Sequence, residues 1–228
     1  MTACFPIIVG MSSESSPVAN WRIEKWFPQL SRETIDQLFS FYQELVKHNG
    51  TLHLVSTKSL PHADLVHFSD ALLAFGPVYS KLNKNAPLYD IGGGNGFPGL
   101  VIAIVYPDVR VHIVEGEQKH AEFLKAVVKK LLLSNVAVIA TQVEHLEEES
   151  IEQGICRGFA TLAKAFLSLR KPFRVGGSMY FMKPSDWAQE ISQVPTQLCS
   201  IWAPKLVHEY NLPETSSTFY VVVANKIS

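Results

Sequence analysis

Apolar residues in the first third of the chain recur at spacings of three and four. From Ser31 onward, Ile35, Leu38, Phe39, Tyr42, Leu45 and Val46 fall on one helical face, with a stop predicted at Asn49-Gly50. Leu65, Val66, Ala71, Leu72 and Phe75 form a second helical pattern, predicted to end before Pro77 because the residue preceding a proline is pushed out of helical geometry. Residues 20–82 therefore read as a helical subdomain whose end, Asn83 to Pro87, runs on as a linker. Residues 1–19 read as a flexible extension.

Past the linker the period changes, and short apolar runs alternate with helical stretches. Strands are predicted at Pro87 to Ile91, Val109 to Glu115, Val136 to Ala140, Gly158 to Ala163 and Gly177 to Met182, with helices at Pro98 to Val105, Gln118 to Leu133 and Phe166 to Phe173. Lys205 to Tyr210 and Phe219 to Ala224, joined by the turn-forming LPETSS, suit an antiparallel hairpin at the sheet edge. Residues 83–228 thus form one α/β domain with a mostly parallel seven-stranded sheet.

Composition narrows the function classes. A chain of 228 residues that is 47% hydrophobic builds one sizeable core and a helical annex, not two full domains. No run approaches the roughly 18 apolar residues of a membrane span, and Ala3 to Val9 lacks a basic flank, so a cytoplasmic protein is expected. Three cysteines without CxxC spacing argue against a disulfide framework or a zinc site. Lys and Arg number 20 against 21 Asp and Glu, so any nucleic-acid surface must come from local clustering. Such clusters occur at Lys119, Lys125, Lys129 and Lys130, and at Arg157, Lys164, Arg170, Lys171 and Arg174.

LYDIGGGNGFPG, residues 88–99, is the strongest signal. A strand ends at Asp90, the spacing of Gly92, Gly94 and Gly96 lets main chain pass close to a ligand, and Pro98 opens the next helix. GxGxG presents no dedicated pyrophosphate turn, which disfavours a nicotinamide dinucleotide and suits a nucleoside without phosphate, such as S-adenosylmethionine. Glu115 ends the next strand, where a carboxylate accepts hydrogen bonds from a ribose diol. Val143 and Glu144 follow the third strand, where an adenine edge belongs.

DIGGGNGFPGL, EGEQKHAEFLK, AKAFLSL and the terminal ANKI together resemble the glucose-inhibited division protein B family, the 16S ribosomal RNA guanine-N7 methyltransferases. The resemblance implies a class I, Rossmann-like methyltransferase that uses S-adenosylmethionine and acts on small-subunit ribosomal RNA or a 30S-type particle. It implies cofactor contacts at Gly92, Phe97, Val143 and Glu144, and it sets Lys164 where the family has an arginine near cofactor and RNA. Lys183 matches a family lysine, and His67 and Asp70 match its HxxD pattern. Lys119-His120 replaces a lysine-arginine pair, and His53-Leu54-Val55 replaces asparagine-leucine-threonine. Lysine keeps the charge of arginine but loses its bidentate fork.

Guanine N7 carries an in-plane lone pair and no proton, so its methylation needs alignment and no general base. No metal is expected. The expected site is Asp90, Gly92, Gly94, Gly96, Phe97, Glu115, Val143, Glu144 and Lys164 for the cofactor, Lys164 also for catalysis, and Lys119, Arg170, Lys171, Arg174 and Lys183 for RNA. A methyltransferase for another RNA or a small molecule, and a noncatalytic cofactor- or RNA-binding relative, are the alternatives.

Overall fold

The computed structural model describes residues 21–228, so the extension expected at 1–19 lies outside the described residues. A short helix α1 (Ile23–Trp26) precedes α2 (Arg32–Leu52), whose N-cap Ser31 accepts a 3.1 Å hydrogen bond from the Thr34 amide. α2 runs through the predicted stop: Gly50 stays helical, and the helix ends where His53 turns left-handed at φ 52°. The Asn49 carbonyl accepts from the His53 amide and its side chain accepts from Val55, so Asn49 shapes the exit rather than marking it. A π-helical turn, Asp64–Ser69, then leads into α3 (Asp70–Tyr79), which carries Pro77 inside it. The expected break before Pro77 is absent.

The remaining elements are β1 (Leu88–Ile91), α4 (Gly99–Val105), β2 (Val111–Glu115), α5 (Gln118–Lys130), β3 (Val136–Ala140), β4 (Ile151–Arg157), α6 (Leu162–Leu169), β5 (Phe173–Lys183), α7 (Trp187–Ser192), α8 (Thr196–Cys199), β6 (Trp202–Asn211) and β7 (Thr218–Lys226). The sheet order is β3-β2-β1-β4-β5-β7-β6, parallel except for β7, which pairs antiparallel with β5 and β6. Order reverses between β1 and β4, which opens a crevice at the carboxyl ends of the strands. Phe41, Phe68, Phe75, Leu100 and Ile113 lie in one buried cluster, so the N-terminal helices and the sheet share a core.

The fourth strand is the main correction. It spans Ile151–Arg157, while the predicted segment, Gly158 to Ala163, is a turn and the start of α6. Glu152, Gln153 and Gly154 hid it by interrupting the apolar run. Gln153 is 4% exposed because its amide joins the sheet to the linker, accepting from Asn83 N at 2.9 Å and donating to Asn83 O and Ala86 O. A Cβ on Gly154 would lie 2.8 Å from Met179 Sδ, so close sheet packing needs glycine there. With β4 placed earlier, α6 moves to Leu162–Leu169 and β5 begins at Phe173.

Candidate functional site

A cleft of about 440 Å³ crosses the carboxyl ends of β3, β2, β1 and β4, within the range of about 300–1,000 Å³ that small-molecule sites occupy. Gly92, Glu115, Val143 and Glu144 line it, joined by Gln142 and Phe159. Among the described residues no lysine or arginine lines it. Two carboxylates without a cation suit a positively charged ligand and oppose a pyrophosphate.

Glu115 also organises the wall, accepting from Gly94 N at 2.8 Å and Glu117 N at 2.7 Å. An ionised carboxylate offers about four acceptor positions, so it retains capacity for a hydroxyl.

Among the glycines, Gly92 faces the cleft at φ 70°, and a Cβ there would meet Phe159 at 2.8 Å. Gly94 and Gly96 are not among the residues that line the cleft. A Cβ on Gly94 meets only ordinary contacts, the nearest at 3.4 Å, whereas Gly96, at φ 89°, makes room for Leu100 and Phe41 beneath the loop. Phe97 is likewise not a cleft residue. It is 2% exposed, with its ring centroid 5.0 Å from Phe41, 4.9 Å from Phe68 and 5.2 Å from His67, so it joins the N-terminal helices to the glycine loop.

Asp90 lies under the loop and outside the cleft lining. Its Oδ2 accepts from Gly99 N at 2.8 Å, and its Oδ1 has no partner among the described residues. Burial pushes its carboxyl up to about 7, against the opposing pull of the Gly99 amide and Arg157. Asp90 therefore positions the loop and the start of α4.

Lys164 is exposed on α6 and lines neither this cleft nor the neighbouring cavity. The arginine beside the site is Arg157, at the end of β4. Its Nη1 donates to Asp70 Oδ2 and Val66 O, each at 3.0 Å, its Nη2 donates to His67 Nδ1 at 2.6 Å, and its guanidinium sits 5.4 Å from the Phe97 ring centroid. Tyr210, on β6, donates to Asp70 Oδ1 at 2.6 Å. Burial and the Arg157 charge lower the His67 imidazole to about 3, which keeps it neutral: Nδ1 accepts from Arg157, and Nε2–H donates to Ser59 Oγ at 3.1 Å. His67 and Asp70 thus meet through Arg157, not each other. Sequence reasoning placed Arg157 in a basic cluster, and only its position at a strand end, one residue before a glycine, could have singled it out.

A second cavity, of about 320 Å³, opens on the other side of Gly158 and is lined by His67, Asp70, Arg157, Lys183, Tyr210 and Phe219 among others. Gly158 lines both cavities, has φ 65°, and a Cβ on it would meet nothing within 4 Å. Lys183 Nζ donates to Ala160 O at 3.1 Å and to Glu190 Oε2 at 2.7 Å, and the same Glu190 oxygen accepts from Leu162 N. That set holds the turn after β4. Cys156 is buried and its thiol is raised by desolvation, which removes it as a nucleophile.

The expected RNA contacts do not form one surface. Lys119 is exposed on the first turn of α5, at the same end of the sheet as the cleft. Arg170, Lys171 and Arg174 lie at the other end, where α6 returns to the start of β5. β5 bulges between Phe173 and Ser178, so Phe173 to Met182 spans only the length of β4 from Ile151 to Arg157, roughly 20 Å at about 3.3 Å per residue. Arg174 is paired there with Glu152 at 3.0 Å.

Residues 34–210 match the family model described as rRNA small subunit methyltransferase G. The chain is 40% identical to ribosomal RNA small subunit methyltransferase G 3 of Bdellovibrio bacteriovorus, over 94% of this chain and 97% of that one. It is 27% identical to the ribosomal RNA small subunit methyltransferase G of Paracoccus denitrificans, over 72% and 83% of the two chains. Among solved structures it is similar in fold to a mutant of MtNAS in complex with S-adenosylmethionine (TM-score 0.57, 13% identity, 92% of this chain and 80% of that one). The tRNA methyltransferase TrmI of Aquifex aeolicus is a further fold match, at TM-score 0.52 and 15% identity over 70% and 69% of the chains. With the glycine loop, the crevice and the sheet order in place, this match over most of its length makes the chain a member of the small-subunit ribosomal RNA methyltransferase G family.

Proposed function

We propose that the cleft binds S-adenosylmethionine and that the chain moves its methyl group to N7 of a guanine in small-subunit ribosomal RNA, as a cytoplasmic enzyme. The observation that carries this reading is the pair of cavities meeting at Gly158, one walled by carboxylates and, among the described residues, lined by no lysine or arginine, the other open beside Arg157. Bound there, the cofactor would supply an electrophilic methyl on a sulfonium. Glu115 would accept from ribose hydroxyls, Val143 and Glu144 would flank the adenine, and Gly92 would let main chain lie against the ligand. The N7 lone pair needs no base, so the chain's task is alignment and exclusion of water. Lys119 would contact phosphate near the cleft, a contact that positions RNA without reading its sequence.

Calorimetry with S-adenosylmethionine and with NADH tests the cleft: the first is expected to bind, and binding of NADH alone would overturn the reading. Tritiated methyl transfer to small ribosomal subunits and to their naked RNA, followed by mapping of the labelled base, tests the acceptor. Label on guanine N7 is expected, and label on any other atom would refute it.

A further inference from the structure

The second cavity has the chemistry of a base-reading site, and nothing above assigns its aromatic wall. Phe219 is half-buried, lines the cavity, and stacks on Tyr210 with centroids 6.0 Å apart at 26°. It has no ion-paired or hydrogen-bonded duty, unlike its neighbours. Met182 adds an apolar side to the same cavity. Two cations complete the wall, and each holds a donor in reserve. Arg157 commits Nη1 and one Nη2 proton, and its Nε–H takes no partner among the described residues. Lys183 has three protons and two bonds.

We propose that Phe219 is the platform on which the acceptor base stacks, and that the reserve donors of Arg157 and Lys183 select guanine by its O6 atom; this rests on the methyl-transfer reading above. Every base has a π face, so stacking holds the ring without choosing it. The edge chooses. Guanine presents two acceptors, N7 and O6, whereas adenine presents N7 beside an amino donor that would face the donors of Arg157 and Lys183. With O6 held, the adjacent N7 faces the seam at Gly158, where the bare main chain leaves passage between the cavities. The N7 lone pair forms the new C–N bond as the S–C bond breaks, the sulfur keeps that electron pair, and the positive charge passes to the base ring. No proton moves.

The full chain is compared as wild type, Phe219→Leu and Phe219→Tyr. Leucine keeps apolar bulk against Tyr210 and removes the π face; tyrosine keeps both. For Phe219→Leu the affinity for S-adenosylhomocysteine by calorimetry should stay within about twofold, since Phe219 lies outside the cofactor cleft. Its kcat/KM on small ribosomal subunits should fall about 5- to 150-fold, the worth of one stacked base, and Phe219→Tyr should restore it. Saturation-transfer NMR on the S-adenosylhomocysteine complex should show GMP bound in preference to AMP, with the GMP signal lost in Phe219→Leu. Wild-type turnover in Phe219→Leu, equal binding of AMP, or a matching loss of S-adenosylhomocysteine affinity would overturn the proposal and leave the methyl-transfer reading intact. A wild type that binds no cofactor and labels no RNA would bring down that reading, and the proposal with it.

Discussion

The turns that leave β1 and β4 face the same crevice and are built in opposite ways. The β1 turn carries five glycines between Gly92 and Gly99, yet only Gly92 lines the cleft. Most of the others make room for protein: Gly93 for Ile113, Gly99 for Asp90, Gly96 for Phe41 and Leu100. The β4 turn has one glycine, Gly158, and it borders both cavities. Glycine density therefore reports how tightly a turn is packed. Contact with a ligand depends on where a single residue with positive φ faces open space.

The turns also differ in what holds them. The β1 turn rests on Asp90 and Glu115 accepting backbone amides, while the β4 turn is held by Lys183 and Glu190 and entered from Arg157, which sits in a ring of His67, Asp70 and Tyr210 drawn from two distant segments. The largest effect should come from breaking that ring. Asp70→Ala leaves Arg157 uncompensated and the Tyr210 hydroxyl unpaired, and urea unfolding should show a loss of about 3–5 kcal/mol. Tyr210→Phe removes one hydrogen bond to a carboxylate and should cost about 1.5–3 kcal/mol in the same assay; a loss as large as that of Asp70→Ala would mean the hydroxyl matters more than the ion pair.

Gly92→Ala strains a positive-φ position beside Phe159 and should weaken S-adenosylmethionine binding by about tenfold or more, since backbone strain of this kind costs about 1–3 kcal/mol. Gly94→Ala should bind within about twofold of wild type, as its Cβ has ordinary contact distances. Equal losses in calorimetry would erase the distinction between the two glycines.

A pH dependence is expected as well. His67 is near 3 in the folded chain against 6.5 for a free imidazole, so its contribution to stability is present above pH 6.5 and declines as pH falls toward 3, where the unfolded chain takes up the proton first. Melting temperatures of His67→Gln should fall less than those of wild type over that window. Asp90, raised to about 7, acts in the opposite sense between its ordinary value of 3.8 and 7 and is common to both proteins.

Much of this was readable beforehand. The helices after Ser31 and Gln118, the strand Val136–Ala140 and the closing hairpin follow apolar periodicity, because each buries one face against the sheet or the core. The Gly92, Glu115, Val143 and Glu144 wall was legible because successive parallel strands deliver their ends to one crevice in order. Misreadings fell where a polar residue had a buried partner far away. Gln153 and Gly154 disguised β4, and with that strand displaced Arg157 reads only as one member of a basic cluster, while the expectation of a cofactor contact falls on Lys164, which is exposed on the following helix.

Local pattern was enough to determine the α/β architecture, the glycine-rich loop after β1 and the family resemblance, since these depend on periodicity and on residues adjacent in the chain. Tertiary packing alone decided which glycine of the β1 turn faces the cleft, that Arg157 gathers His67 and Asp70, and that Arg170, Lys171 and Arg174 lie at the end of the sheet remote from the cleft. Those outcomes depend on strand direction and on partners up to 140 positions apart, as in the Tyr210–Asp70 bond. Spacing along a single sequence carries no direct signal of such distances.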